Sequence, residues 1–407
     1  MELKTSVRTL VPAMCVIALS SMIVFGGEVA SVAASHSEAQ PTYESPYNNG
    51  FYSTIIGNTT LKDFKVCNAT DSGLCVPGFK SSMPIRTMLQ PGQAPLVVLL
   101  LGCQGKIGDP VPKLWANWLH EAGNHVLVFN SSLSPEFIGA AGRGVAGNIV
   151  NEAECSRDII GAFIKTPEMA GRITKLGIVG MSYGGIQALL IGQMIVDKKV
   201  DYKIDAIRSF SPPIDMMQSA RLIDRWWRED RWNYTLPQMY FTVAKKKPIA
   251  PGAPIPFSDS LMRAGVAASF RLPFGEIVDV NDSEYDLKIL PAADSNTAEI
   301  RSQYAATYGF SRFMQQCTFS YWKDKLGIGS FAQLNAPAKL TNVLPHQPEC
   351  VEAYISIDDP LNTPEDLAKL KECTTCNHLT ILNGGGHLGF VNDPWTKSKL
   401  LSLFNSK

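Results

Sequence analysis

Three side chains that could do chemistry together stand far apart in this sequence: Ser182 in "GMSYGG", Asp359 in "SIDDPLNTP" and His387 in "GGGHLGF". A serine hydroxyl is a poor nucleophile near neutral pH and needs a base within hydrogen-bond reach. Of the six histidines, His387 alone lies on a glycine-rich loop just past an apolar, strand-like run. Such a loop can hold an imidazole over the edge of a sheet. His36 lies near the N-terminus, His120 and His125 flank a helix-to-strand turn, His346 sits in a loop and His378 opens a strand. The base in turn needs a carboxylate that fixes its tautomer and steadies its cation. Asp359 is the choice, with neighbouring Asp358 as the alternate. Between them and His387 there is room for one helix and one strand, and the carboxylate not used is expected to cap a turn.

Residues 180–184 read G-M-S-Y-G, the spacing of a nucleophile elbow. A strand that turns at once into a helix forces the serine into a strained backbone shape. It also brings neighbouring Cα atoms so close that side chains at Gly180 and Gly184 would collide. The context agrees: "LGIVGM" before the serine is a buried strand, and "GGIQALLIG" after it is a small-residue helix. The helix points its unpaired N–H groups at the same spot. The anion that forms when serine attacks a carbonyl needs two donors. One is expected from the backbone N–H of Tyr183 and the other from "GCQG" (102–105), with Cys103 preferred over Gln104.

The elements that must position these groups follow from hydrophobic patterning. Runs "PLVVLLLG" (95–102), "HVLVFN" (125–130), "TKLGIVGM", "IDAIRSFS" (204–211), "VEAYISID" (351–358) and "HLTILN" read as buried strands. Helical segments alternate with them at 113–123, 151–165, "GGIQALLIGQMIV", "TPEDLAKLKE" and "PWTKSKLLSLF". Alternating strand and helix implies α/β architecture with a mostly parallel sheet flanked by helices. Before it, Phe51 to Gln90 reads as two or three antiparallel strands, including "FYSTIIGNTT" and "SSMPIRTMLQ". The alternation stops at 213–345, where aromatic and charged clusters and Pro-rich loops suggest a large inserted lid. The expected organisation is a leader over 35–50, core over 51–212, lid over 213–345 and core again over 346–407.

With nucleophile, acid and base in that chain order, the sequence resembles the α/β-hydrolase superfamily of serine esterases and lipases. The resemblance spans about residues 90–211 and 350–407, and "DDP" and "GGHLGF" are similar to a medium-chain-esterase branch. It implies hydrolysis of a carboxylic ester, a small-molecule or lipid substrate, through an acyl-enzyme on Ser182. Neither a metal nor an organic cofactor is needed. An acyltransferase using the same intermediate, a peptidase, and a non-catalytic protein that kept the fold remain open. "LLLGCQG" departs from the family's usual "HG" form, with Leu101 in place of the histidine.

Lys4 and Arg8, the apolar run Thr9–Phe25 and the small residues after it read as a secretory signal over 1–34, cleaved near Ala33 or Ala34. That predicts an exported, periplasmic or extracellular protein with no membrane span after cleavage. The alternative is an uncleaved anchor. Apart from Cys15, eight cysteines remain, enough for up to four disulfides in an oxidising compartment. Cys67 with Cys75, Cys373 with Cys376, and Cys103 with Cys155 are the pairs considered. Lys+Arg and Asp+Glu both number 37, and no basic block stands out, which argues against a nucleic-acid partner.

Two motif matches are set aside. "GRGVAG" (142–147) lies too far past its strand for a dinucleotide site and reads as a flexible loop at the rim. "CTTCNH" lacks the spacing for haem and a fourth ligand for zinc. In "RLIDRWWREDRWNY", Trp226, Trp227 and Trp232 are expected in the core or along an acyl pocket of a solvated lid helix.

Overall fold

Among the described residues, eight strands form one sheet in the order β1-β2-β4-β3-β5-β6-β7-β8. The strands are β1 (Ala69–Leu74), β2 (Met83–Met88), β3 (Ala94–Leu100), β4 (His125–Phe129), β5 (Ile173–Met181), β6 (Ala206–Phe210), β7 (Val351–Ser356) and β8 (Leu379–Leu382). β2 runs antiparallel to both its neighbours, and the other pairings are parallel. The computed structural model describes residues 42–59, 61, 66, 68–230, 249–292, 298–372 and 378–405. The expected signal segment, with Cys15 and His36, lies outside the described residues, as do Cys67, Trp232, Cys373 and Cys376. Among the described residues no helix is long and apolar enough to cross a membrane.

β3 shows why an unbroken apolar run is a central strand. Leu96, Val98 and Leu100 feed one hydrophobic core, while Val97 and Leu99 feed a second on the opposite face. Alternate side chains leave opposite faces of a strand, so a run buried on both sides must be apolar throughout. Each of these side chains contributes about 1.5–3 kcal/mol by leaving water. Helices cover both faces: α1 (Gly50–Thr59), α2 (Pro110–Glu121), α3 (Pro135–Ala141), α4 (Ile149–Ile164) and α5 (Tyr183–Val196) precede β6. α3 starts on Ser134, whose Oγ accepts from the Phe137 N–H, and stops at Gly142 in the left-handed conformation. Helices Pro364–Glu372 and Pro394–Leu401 close the chain.

β6 and β7 are neighbours in the sheet, yet the chain between them makes a long helical excursion. It contains α6 (Met216–Asp230), α7 (Asp259–Tyr285), helix Ala298–Thr307, and a helix that runs from Phe310–Phe313 through a π-helical stretch, Met314–Phe319, into Ser320–Leu326. Short helices, Phe331–Asn335 and Leu340–Val343, each followed by a 3₁₀ turn, then lead to His346. Ser258 caps α7 through its Oγ, which accepts from the Leu261 N–H.

One segment differs from its expectation. Residues 51–59 of "FYSTIIGNTT" belong to helix α1 rather than a strand. Its β-branched residues favour a strand locally, but Tyr52, Ile55 and Ile56 fall at helical spacing and are all buried. Tertiary burial of that stripe overrides propensity.

The cysteines also differ. Cys75, Cys103, Cys155, Cys317 and Cys350 are free thiols, so neither a Cys103–Cys155 bridge nor a disulfide at Cys75 is present. Cys155 is buried on α4, with Arg143 against its sulfur. Cys103 instead lines a cavity beside Ser182.

Candidate active site

β5 ends at Met181 and α5 begins at Tyr183, leaving Ser182 alone to make the turn. Its φ is 52° and ψ −118°, a conformation non-glycine residues rarely hold. The surroundings enforce it. The Ser182 N–H donates to the Phe210 carbonyl at 2.8 Å, while the glycines around it allow backbone contact that no side chain could survive. A Cβ on Gly180 would lie 2.3 Å from the Gly184 oxygen, and one on Gly184 would lie 2.3 Å from the Leu100 oxygen.

The structure brings Ser182, Asp359 and His387 together. Asp359 follows the end of β7, and His387 lies on the loop after β8, so both reach the sheet edge that carries the elbow. His387 Nδ1 is 2.8 Å from Asp359 Oδ2, and His387 Nε2 is 2.8 Å from Ser182 Oγ. A carboxylate can only accept, so Nδ1 carries the proton and Nε2 offers its lone pair to the serine O–H. Asp359 Oδ1 accepts from the Leu361 N–H at 2.9 Å, giving each carboxylate oxygen its own partner. All three side chains are buried. Asp358 does other work: its Oδ1 accepts from the Gly386 N–H at 2.8 Å, holding the loop that carries the histidine.

Three supports of this loop are not visible in any motif. Thr54 on α1 donates through Oγ1 to the Gly50 carbonyl at 2.6 Å and accepts the His387 backbone N–H at 2.8 Å. Gly57 approaches Gly389 so closely that a Cβ there would lie 2.4 Å from the Gly389 Cα. Ser211 Oγ accepts the Leu388 N–H at 3.2 Å. A signal for the first two does exist: Gly50, Thr54 and Gly57 fall at i, i+4 and i+7, a small-residue stripe on one helix face.

Cys103 and Tyr183 both border Ser182. Among the described residues neither backbone N–H has an intramolecular acceptor. Burial, aided by the charge of Glu152, pushes the Cys103 thiol far up, so it stays protonated. Next to it, Gln104 holds a positive φ of 61° and donates from Nε2 to the Phe270 carbonyl of α7 at 3.1 Å.

Two cavities meet at Ser182. One, of about 320 Å³, is lined by Asp109, Val111, Gly265, Val266 and His387. The other, of about 60 Å³, is almost wholly apolar, with Leu133, Met216, Ile223, Phe310 and Met314 on its walls. Ser182, Cys103 and Phe270 belong to both. No described tryptophan lines either one. Trp226 packs on Phe51 of α1 with ring centroids 5.1 Å apart, and Trp227 faces an outer groove.

A buried carboxylate stands behind the elbow. Glu152 accepts from Tyr183 Oη at 2.7 Å, Ser132 Oγ at 2.6 Å and the Gly147 N–H at 2.6 Å. It thereby ties the start of α5 to the segments carrying Ser132 and Gly147, and nothing local in "NEAECS" betrays it. It also helps to explain "GRGVAG", which is tied down beneath the inserted helices instead of lying loose at the rim. Ala146 N–H donates to Asn281 Oδ1, Gly144 N–H to Tyr285 Oη, and Trp322 Nε1 to the Val145 carbonyl.

Burial raises the Glu152 pKa against the pull of those three donors. The folded state therefore holds this proton more tightly than the unfolded chain. The contribution of this group to stability falls as pH rises from about 4.3, the unfolded value, through the folded one. Glu152→Gln removes that slope. Unfolding free energies between pH 4 and 8 should fall less in the variant, by about 1.4 kcal/mol for each unit of displacement. Parallel curves would refute the assignment.

No family model matches the chain, and no curated protein matches its sequence. Among solved structures it is similar to an esterase of Pyrococcus furiosus, with a TM-score of 0.44 and 12% identity over 90% of this chain and 96% of that one. An esterase of Pyrobaculum calidifontis gives a TM-score of 0.42 and 14% identity, covering 87% of this chain and 90% of that one. A 2,6-dihydroxy-pseudo-oxynicotine hydrolase gives 0.41 and 14%, covering 83% and 68%. With a mostly parallel eight-stranded sheet, an antiparallel second strand, helices on both faces and a strained serine turn after β5, this chain has the α/β-hydrolase fold.

Proposed function

We propose that this protein is a serine carboxylesterase acting on short-chain acyl esters. The observation that carries the reading is the unbroken hydrogen-bond line from Asp359 through His387 to Ser182, with 2.8 Å at each step. His387 Nε2 takes the hydroxyl proton as Oγ attacks the ester carbonyl. The N–H groups of Tyr183 and Cys103 receive the oxyanion, an interaction of roughly 3–4 kcal/mol for each well-placed donor. Asp359 steadies the imidazolium, which then protonates the departing alcohol. Water, deprotonated by His387, releases the acid and restores the serine.

The two cavities suggest how a substrate sits. The apolar one holds about two water volumes, taking roughly 30 Å³ for each, which suits an acetyl or propionyl group. The wider one receives the alcohol. The helices of 213–345 serve as a lid, since Phe270 of α7 borders both cavities. The order of charged, apolar and small residues over 1–34 supports export.

A panel of p-nitrophenyl esters on the purified protein tests this. We expect kcat/KM to fall at least 10-fold from acetyl or propionyl to octanoyl, and Met314→Ala to shift the optimum to longer chains. A flat profile unaffected by Met314→Ala would remove the acyl-pocket assignment. Failure of the folded protein to label with a fluorophosphonate would remove the esterase reading altogether. Diversion of the acyl group to an added alcohol would instead identify an acyltransferase.

A further inference from the structure

The outer face of α6 carries Arg221, Arg225 and Arg228 at i, i+4 and i+7, a spacing that lines them up along one side of the helix. The opposite face of the same helix, through Met216, Ala220 and Ile223, borders the small apolar cavity at Ser182. The arginine face forms one wall of an open groove of about 900 Å³, to which Arg312 and Arg271 add two more guanidinium groups. Like charges four residues apart repel, so this arrangement opposes helix stability unless something neutralises it.

The protein itself supplies little. Among the described residues Arg221 and Arg225 have no ion-pair or hydrogen-bond partner. Arg228 reaches only Glu229, at 3.8 Å, and Arg312 donates to Gln316 and covers the Tyr308 ring. Among the described residues the one carboxylate lining the groove, Asp224, is committed elsewhere. It accepts the N–H groups of Phe310 at 3.0 Å and Ser311 at 2.8 Å, and lies 3.6 Å from Arg271 Nε. The chain that follows α6, residues 231–248, contains no Asp or Glu that could fill the gap.

A second observation comes from the floor. Arg271 is only 4% exposed, yet its Nε has no hydrogen-bond partner, although its terminal nitrogens donate to the Tyr308 and Ala306 carbonyls. Ser311 Oγ, also on this groove, is likewise buried and unpartnered. Buried donors without acceptors are rare in folded proteins and call for an explanation. Among the described residues lining this concavity are five arginines and no lysine, with two unpartnered donors just beneath its surface, and a negatively charged oxygen group in the groove would offset their charge.

We infer that this groove binds a ligand carrying phosphate-type oxyanions, held by Arg221, Arg225, Arg228 and Arg312 over the Arg271–Ser311 floor. Guanidinium forks meet phosphate oxygens two at a time, which lysine cannot do. A concave wall of one sign also concentrates an oppositely charged ligand. From Arg221 to Arg228 the helix rises about 10 Å, so a single phosphate cannot engage the whole row. The ligand carries at least two such groups, either within one soluble molecule or as neighbouring headgroups on a lipid surface. The site lies outside the Ser182 cavities and does not depend on the esterase reading.

Calorimetric titration of the full chain with tripolyphosphate at low salt tests the soluble source. Co-sedimentation with phosphatidylglycerol vesicles, against phosphatidylcholine alone, tests the lipid source. The expected result is binding in at least one arm that weakens 10-fold or more in Arg221→Gln/Arg225→Gln. It should be nearly unchanged in Lys199→Gln/Lys203→Gln, which removes the same charge near the opposite ends of the strands. Both pairs are at the surface, and circular dichroism melts would verify that each variant folds. Absence of binding in both arms overturns the inference, as does equal weakening by the two double variants, since that would reflect general charge alone.

Discussion

Ser182→Ala is expected to lower kcat on a short-chain ester by about 10⁶-fold, with little change in the unfolding midpoint. Alanine keeps the Cβ that fits the elbow and removes only Oγ, the atom 2.8 Å from His387 Nε2. On the proposed mechanism, what would survive is the contribution of binding and of the Tyr183 and Cys103 amides, with no covalent intermediate left for them to act on. His387→Ala should cost nearly as much, because nucleophile and base work as one unit and their losses do not add. Asp359→Asn should cost about 10⁴-fold, since an amide beside Nδ1 can donate and so favours the wrong tautomer. Asp358→Asn separates the two neighbours: its amide oxygen still accepts the Gly386 N–H, so less than a 10-fold loss is expected. Steady-state hydrolysis and fluorophosphonate labelling measure all four. Equal losses at 358 and 359 would contradict the assigned division of labour, and full activity in Ser182→Ala would end the proposed mechanism.

How much of this was legible beforehand depends on how local each cause is. The elbow could be read because strand, turn glycines and helix are consecutive, so one window of sequence holds the whole constraint. The ends of β7 and β8 could be read because apolar runs stop just before Asp358 and just before the glycines around His387. α1 could not, because its threonines and isoleucines favour a strand until the rest of the protein supplies the surface that buries Tyr52, Ile55 and Ile56. Thr54 supports His387 from 333 residues away, and no pattern near either residue records that meeting. Glu152 looks like any acidic residue in an amphipathic helix. Its burial follows from how α4 packs against α5, and only then do Tyr183, Ser132 and Gly147 converge on it. Cysteine count suggested bridges, but a count carries no Cβ geometry. Chemistry confined to a few consecutive residues was therefore readable, whereas the supports assembled from distant segments were not.

The glycines of the elbow give the second large effect, and it is a steric one. β3 and β5 pair with Leu100 opposite Gly180, which brings the first turn of α5 down onto the end of β3. A methyl group on Gly184 would meet the Leu100 oxygen at 2.3 Å and the Leu101 oxygen at 2.6 Å, both backbone atoms that cannot swing aside. Relief requires α5 to lift by about 1 Å or the pairing at Leu100 to open. Overpacking of this kind costs about 1–3 kcal/mol or more. A 1 Å displacement of the nucleophile costs about 10²-fold in rate even where folding survives. Gly184→Ala should therefore lower the unfolding midpoint by several degrees and remove most activity. Gly139→Ala is the matched control: it lies inside helix α3 with nothing within 4 Å of the new Cβ, so alanine there should stabilise by up to about 1 kcal/mol. Melting curves and ester hydrolysis on the two variants distinguish contact from mere substitution. If Gly184→Ala melted and turned over like the parent, the hydroxyl of Ser182 would not be held by backbone crowding, and its placement against His387 would need another cause.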